Sequence, residues 1–508
     1  MIFLKNSTRS NVLFIFLGVL LSACSNESQK PNILFVFADQ LRSHELSCYG
    51  GKNIKTPNLD RLADEGLRMT NAVSTYPICS PFRGMLLTGL YPLHSGVSNN
   101  DHPLNPELPS FAKACKDVGY QTAYIGKWHL DGQGRSSYIP KERRLGYDYW
   151  QALECTHNYF KSLYYENDAM EPEYWEGYDA ESQTRSAKEY IKNRDPDKPF
   201  FLTLSWGPPH DPYIAPKKYN DQVYADELVL RENLKEHEIV DELQNNPRFI
   251  LPDKYVERYQ KFRELARDEQ IIRERYAGYL SAILSLDDYF GDLMKTLEEE
   301  GILDNTIVVF SSDHGDQLGS HQFYGKNTPF AESISIPFLL RYPKAVKAET
   351  VSDALLAPVD MFPTIFGLAG LDHAEVDGIN LSKIVTGQSE DIREAVLLMN
   401  LTHFNNTSLI NGLDTYRGLQ TKQYTYARYD DGSPWLLFDN NKDPFQMRNL
   451  INDPKYGELI DQFNRKVDDL LIKAGDSENT RQIYDRIIKE NPNRQMLLDL
   501  REVNPNKM

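Results

Sequence analysis

Four short apolar runs in this chain each lead straight into side chains that can ligate an ion or carry a proton. Ile33-Leu-Phe-Val-Phe37 leads to Asp39-Gln40, and Thr122-Ala-Tyr-Ile125 to Lys127-Trp128-His129. Phe200-Phe-Leu-Thr-Leu204 leads to His210-Asp211, and Ile307-Val-Val-Phe310 to Asp313-His314. Asp39, Gln40, Asp313 and His314 together offer two carboxylates, an amide oxygen and an imidazole. A mostly oxygen set suits a hard divalent cation, Ca2+ first and Mg2+ next, better than a structural zinc; the imidazole keeps Mn2+ open. A fifth element is Cys79-Ser80-Pro81-Phe82-Arg83, followed by Thr88-Gly89. Pro81 suits the first turn of a helix, so Cys79 falls at a helix N-terminus, where free amides and the dipole favour an anion. Arg83, one turn on, adds a fork of donors. Burial explains a lone Cys before a helix, and a cap explains a lone strand-end Asp. The five together point to one convergent site.

Such a site needs a frame. Apolar β-rich runs alternate with helical stretches over residues 31–345, the pattern of an α/β sheet covered on both faces. In open sheets of this kind ligands bind beyond the carboxyl ends of the strands, where these residues fall. Thr56-Pro57 starts a helix expected to run to about Leu67. Residues 254–300 predict long amphipathic helices ending in the solvated Glu298-Glu299-Glu300, and residues 215–250 a charged surface insertion. Beyond about residue 385 the pattern changes. Tyr416-Arg417-Gly418, Gln423-Tyr-Thr-Tyr-Ala427 and Trp435-Leu-Leu-Phe438 alternate like half-buried antiparallel strands, with Gly432-Ser433-Pro434 as a hairpin loop. Helical spacing returns over 458–473. The expected division is a catalytic domain over 31–385 and a smaller α+β domain with its tail over 386–508.

The 508 residues include 41% hydrophobic and 25% charged side chains, enough apolar material to exclude general disorder. Acidic residues outnumber basic ones, 73 to 56, for a net charge of -17 without a dense Lys/Arg block, so nucleic acid is not the expected partner. An anion can still bind where a few cations gather in a dry cleft. At the start, Lys5 and Arg9 precede the apolar run 11–21, too short for the about 20 residues a bilayer span needs. Leu21-Ser22-Ala23-Cys24 resembles the lipobox of bacterial lipoproteins. That resemblance makes residues 1–24 a signal peptide, Cys24 the acylated first residue of the mature chain, residues 25–30 a tether, and a membrane of the bacterial envelope its location.

The run from Cys79 to Gly89 resembles the sulfatase signature, Cys-x-Pro-x-Arg followed by Thr-Gly, in which a maturing enzyme oxidises the Cys to formylglycine. Further similarity to that family lies in Pro31-Asn32-Ile33, Gly126-Lys127-Trp128-His129, Ser312-Asp313-His314-Gly315 and Asp443-Pro444. The resemblance implies the alkaline phosphatase superfamily fold, a large mixed sheet flanked by helices with a smaller domain carrying an antiparallel sheet. It implies hydrolysis of sulfate esters through a covalent sulfated formylglycine. Carried over, it makes Cys79 the nucleophile, and Asp39, Gln40, Asp313 and His314, with the modified Cys79, the ligands of one divalent cation. Arg83 would steady the hydrate, Lys127 and Lys326 would hold sulfate oxygens, and His129 and His210 would handle protons. Lys326 rests on its setting, Tyr324-Gly325-Lys326 with Glu332 and Ile336-Pro337 following.

Two departures matter. Phe82 stands where Ser or Ala is usual. Gln40 and His314 replace the Asp and Asn common in arylsulfatases, a pairing similar to the choline sulfatase and phosphonate monoester hydrolase branch. A phosphonate or phosphate ester hydrolase using the same nucleophile is therefore the alternative, and an inactive glycan-binding lipoprotein is the alternative of another class. Between Lys127 and His210, His157-Asn158-Tyr159-Phe160, Tyr164-Tyr165 and Tyr174-Trp175-Glu176-Gly177-Tyr178 suit either a sugar-binding face or a loop packed on the core. With the export signal, they favour a sulfated carbohydrate as substrate. Cys48, Cys115 and Cys155 allow at most one disulfide, and buried free thiols are expected.

Overall fold

The computed structural model describes residues 30–235, 239–240, 242, 260–261, 264–390, 393–401 and 415–476. Cys24 and the apolar run before it lie outside the described residues. Within them, no helix is long and apolar enough to cross a membrane.

Ten strands form one mixed sheet: β1 (Asn32–Asp39), β2 (Leu67–Ala72), β3 (Gln121–Lys127), β4 (Tyr149–Leu153), β5 (Leu163–Glu166), β6 (Glu173–Tyr174), β7 (Phe200–Pro209), β8 (Thr306–Ser312), β9 (Phe338–Arg341) and β10 (Thr350–Leu356). Their order is β10-β2-β9-β8-β1-β7-β3-β4-β5-β6. The central five, β8, β1, β7, β3 and β4, are parallel, and all residues of β1, β7 and β8 are buried. Helices on both faces leave no solvated side, which is why these strands are continuous apolar runs rather than alternating ones. One core lies under the Cys79–Thr88 and Pro358–Ala369 helices, where Phe111, Phe362 and Phe366 meet. The other lies under the Asp179–Asn193 and Glu269–Glu299 helices.

The helix that starts at Pro57 stops at Asp64, short of the expected Leu67. Leu67 opens β2 instead, opposite Leu340 of β9. Gly66 makes the break: a Cβ there would lie 2.1 Å from the Leu340 carbonyl oxygen, so only glycine permits the approach. Because β2 and β8 are both antiparallel to β9, β2 delivers the chain to the same edge of the sheet as the central strands.

Glu269–Glu299 is one 31-residue helix. Of its acidic end, Glu298 bonds Arg61 and Glu300 lies 3.1 Å from Arg194, so that face is ion-paired as well as solvated. The segment after residue 215 is mostly exposed, as expected of an insertion, but its Asn233 is buried and donates to Glu332 at 2.8 Å, while Arg231 pairs with the same carboxylate at 2.8 Å. Strands β11 (Val396–Asn400), β12 (Tyr416–Gln420), β13 (Tyr424–Tyr429) and β14 (Pro434–Asp439) form a separate antiparallel sheet, backed by the Gly457–Lys473 helix. The three runs expected to alternate there are β12, β13 and β14. Cys48, Cys115 and Cys155 are free thiols.

Candidate active site

All five sequence elements converge at the carboxyl edge of the parallel strands. β1 ends at Asp39, and the chain turns at once through Gln40, whose φ of 72° is left-handed. The Gln40 amide donates to Asp313 Oδ1 at 2.8 Å, tying β1 to the end of β8. The loop after β2 delivers Cys79 to the first position of its helix. There Asp39, Cys79, Asp313 and His314 each present a ligand atom, all within 4.8 Å of one another and all buried. Cys79 Sγ lies 3.3 Å from His314 Nε2 and 3.7 Å from Asp39 Oδ1.

Three cations close around this group. Lys127 Nζ is 2.6 Å from Asp39 Oδ2, and Arg83 Nη2 is 3.0 Å from the same oxygen and 3.5 Å from Asp313 Oδ2. Lys326 Nζ donates to Gln40 Oε1 at 2.7 Å and lies 3.3 Å from Cys79 Sγ. Arg83 is fixed from behind: its Nη1 donates at 2.7 Å to both Lys127 O and Ser205 Oγ, and its guanidinium lies 4.8 Å from the Phe37 ring centre. Gly126 allows β3 to pass this point at φ 104°, since a Cβ would sit 2.1 Å from Ser205 O. A negative molecule thus carries a local positive hollow in which charges are hidden from salt.

The electrostatics follow from this crowding. Burial pushes the Cys79 thiol up, but Lys127, Lys326 and His314 outweigh it and hold its pKa well below the ordinary thiol range. Burial also raises Asp39, and its neighbouring cations Lys127, His210 and Lys326 reverse the sign, keeping it ionised. His129 Nε2 donates to Asp101 Oδ1, 3.0 Å away; burial lowers its pKa, while Cys155 and Asp101 raise it to about 9. For His210, burial and Lys326 oppose protonation, and Asp211 and Asp39 raise the pKa to about 10. Its Nδ1 lies 3.0 Å from Asp211 Oδ1.

The donor set fits a metal. Two carboxylates buried at one point repel each other, the Gln40 amide oxygen and the His314 ring turn toward the same centre, and oxygen dominates the set, as a hard dication prefers.

The sequence reading placed Asp39, Gln40, Cys79, Arg83, Lys127, His129, His210, Asp313, His314 and Lys326 at one site, and the structure brings all ten together. It missed Asp101, Ser205 and Asp316. Asp316 accepts from Gln40 Nε2, from Tyr213 Oη at 2.7 Å and from the Gly325 amide at 3.0 Å, so one buried carboxylate pins the loops of three site residues. These three sit in loops or mid-strand without periodicity, and left-handed φ at Gln40, at His129 and at Asp101 itself marks their surroundings as strained. The aromatic stretch mostly packs its own loop: Tyr159, Trp175 and Tyr178 are buried, and Tyr164 stacks on Trp175 at 3.9 Å. His157, exposed, stacks on His210 at 4.5 Å and remains beside the site.

A sheet-edge site with a buried cysteine, a donor set that fits a dication and three fixed cations suits an anionic ester. Residues 31–371 match the Sulfatase family, and residues 319–473 match the N-sulphoglucosamine sulphohydrolase C-terminal family. The chain is 37% identical to an ulvan-active sulfatase of Formosa agariphila, over 90% of this chain and 84% of the relative. It is 30% identical to an endo-4-O-sulfatase of Bacteroides thetaiotaomicron, over 91% and 96% respectively. A solved structure in complex with its substrate D-glucosamine-2-N,6-O-disulfate superposes with a TM-score of 0.76 at 25% identity, covering 89% of this chain and 99% of that one. The chain belongs to the sulfatase family and is a sulfuric ester hydrolase.

Proposed function

We propose that this enzyme removes sulfate ester groups from a carbohydrate, a sulfated polysaccharide or its oligosaccharides, with Cys79 acting as a formylglycine hydrate. The observation that carries the reading is the position of Cys79 Sγ, 3.3 Å from both His314 Nε2 and Lys326 Nζ in a buried cationic hollow. Relatives that act on ulvan or carry a glucosamine disulfate favour a sugar. The lipobox-like Cys24, on this reading, anchors the enzyme in a bacterial envelope membrane, where polymers are the available substrates.

Transfer of a sulfuryl group resembles phosphoryl transfer: little covalent work falls to the protein, and charge must be held in place. Asp39, Gln40, Asp313 and His314 would hold one divalent cation, Ca2+ by donor type, which when bound would help ionise the hydroxyl on residue 79. Arg83 steadies that residue, and Lys127 and Lys326 bind the sulfuryl oxygens; loss of one such donor costs about 10²–10³ in rate. A sugar alkoxide leaves poorly without a proton. His210, kept protonated at neutral pH beside Asp211 and Asp39, supplies it. The second hydroxyl of the hydrate then gives its proton to His129, the carbonyl re-forms, and sulfate leaves.

The test is a desulfation screen over sulfated algal and animal glycans, read by released sulfate and product mass, with peptide mass analysis of residue 79 in native-host material. Release from none of them, or a Cys79 thiol in active preparations, would overturn the reading. Because Gln40 and His314 resemble the phosphonate hydrolase branch, an aryl sulfate and the matching phosphonate monoester are compared as well, and a strong preference for phosphorus would also overturn it. His210→Ala should slow sugar sulfates by about 10²–10⁴-fold but activated aryl sulfates far less, since general acid catalysis matters most for poor leaving groups. Deprotonating His210 removes the acid, so the wild-type rate on sugars should fall as pH rises toward about 10. Equal losses on both substrate types would remove His210 from that role.

A further inference from the structure

Asp101 lies outside every sequence motif, in the loop between the short Pro92–Ser95 and Phe111–Asp117 helices, yet it is bound to the site from three directions. Its Oδ1 is 3.0 Å from His129 Nε2. Arg135 clamps it, Nε to Oδ1 at 3.2 Å and Nη2 to Oδ2 at 3.3 Å. Its amide donates at 3.3 Å to Ser80 Oγ, and that hydroxyl donates at 2.7 Å to His129 O. The residue next to the nucleophile therefore holds both Asp101 and the backbone of His129, which is itself left-handed at φ 58°.

The chemistry follows from the two ring nitrogens. A neutral imidazole has one donor and one acceptor, and the partner of one nitrogen decides which is which. An ionised carboxylate only accepts, and the His129 contact first, with the Arg135 fork behind it, keeps Asp101 ionised. In the neutral ring Nε2 must then carry the hydrogen, which leaves Nδ1 with its lone pair. Nδ1 is buried and left unsatisfied by the other described residues, and the His129 side chain interacts with Cys79, so Nδ1 is the ring atom left for residue 79.

We propose that Asp101, held by Arg135, is a positioning residue that fixes the His129 ring and its tautomer so that Nδ1 accepts the proton from residue 79. This rests on the proposed function. The step it serves is the breakdown of the covalent ester: Nδ1 takes the proton of the free hydroxyl, that oxygen forms the carbonyl, the carbon–oxygen bond to the sulfate group breaks, and sulfate departs with the bonding pair.

The test compares Asp101→Asn, Asp101→Ala, Asp101→Glu and Arg135→Ala with wild type by steady-state kinetics and by quenched mass analysis of the residue 79 peptide. Loss of a group that orients another typically costs about 10–100-fold. The expected result for Asn and Ala is a fall of that size in kcat with a parallel fall in KM, little change in kcat/KM, and a sulfuryl adduct that accumulates on residue 79. Glu should recover part of the rate, and Arg135→Ala should show a weaker version of the same pattern. Equal falls in kcat and kcat/KM without an adduct would mean structural damage and overturn the inference, as would wild-type behaviour. If wild-type residue 79 proves to be a thiol, the functional reading fails separately. The pairing is then judged by nitrogen NMR of the His129 ring above about pH 9, where it is neutral, and a neutral Nδ1–H tautomer in the wild type would overturn it.

Discussion

Cys79→Ala should lower sulfate release by about 10⁴-fold or more, the scale of losing a nucleophile whose partners act as a unit. The fold should survive the change. Cys79 is a small side chain at the first position of a helix whose seating comes from elsewhere, from Phe82 and Leu86 in the core and from Arg83 bonded to Ser205 and the Lys127 carbonyl. What the substitution removes is the atom on which Lys326 and His314 converge. Cys79→Ser separates nucleophilicity from turnover. A serine hydroxyl in this hollow can attack sulfur, but the resulting ester carries no second hydroxyl through which to expel sulfate. Made in a host without maturing activity, this variant should release leaving group once per active site and retain a sulfuryl adduct on residue 79. Stopped-flow kinetics with an aryl sulfate, followed by peptide mass analysis, reads both. Multiple turnovers by the Ala variant at more than about a tenth of the wild-type rate would reject Cys79 as the reacting group.

The strands of the parallel core and their polar ends were legible because a sheet covered on both faces forces uninterrupted apolar runs, and such runs stop where the chain must meet water or a ligand. Cys79, Arg83 and the ligand residues were legible because motif and spacing tie each to a strand end or a helix start. β2 was harder to see. Its sequence, Leu-Arg-Met-Thr-Asn-Ala, buries only part of its length and follows a helix without a proline stop, so the boundary rests on Gly66 and its approach to Leu340. Asp101, Asp316 and Ser205 could not be found from pattern. Each acts through a tertiary contact from a loop or mid-strand position, and a buried Asp has the same sequence signature as an exposed one. The aromatic stretch shows the converse limit: Trp175 and Tyr164 have the composition of a sugar platform but spend their faces on each other.

Removal of the divalent ion that this donor set fits should have the second large effect. Asp39 and Asp313 are fully buried, and their negative charges are answered by Lys127 and Arg83. Those same cations, with Lys326, are the groups assigned to an incoming sulfate, which brings further negative charge into the hollow. Four side-chain cations, His210 included, facing Asp39, Asp313, Asp211, an ionised residue 79 and a sulfate leave a deficit of positive charge at a buried point. A divalent ion held by Asp39, Gln40, Asp313 and His314 closes that deficit. Treatment with a chelator, followed by gel filtration, should therefore abolish turnover and lower the thermal unfolding midpoint, since an ion present at a hundred times its Kd stabilises the folded state by about 2.7 kcal/mol. Added Ca2+ should restore both, and Mg2+ less well, because Mg2+ demands near-ideal octahedral geometry and dehydrates reluctantly, whereas Ca2+ accepts varied oxygen sets. Asp313→Asn keeps an oxygen to accept from the Gln40 and His314 amides while removing one charge. Its apparent Ca2+ affinity should drop, and high Ca2+ should recover part of the activity. Elemental analysis decides the matter independently of rate: protein free of divalent metal that still turns over at the wild-type rate would mean that Lys127, Arg83, Lys326 and His210 balance the site alone.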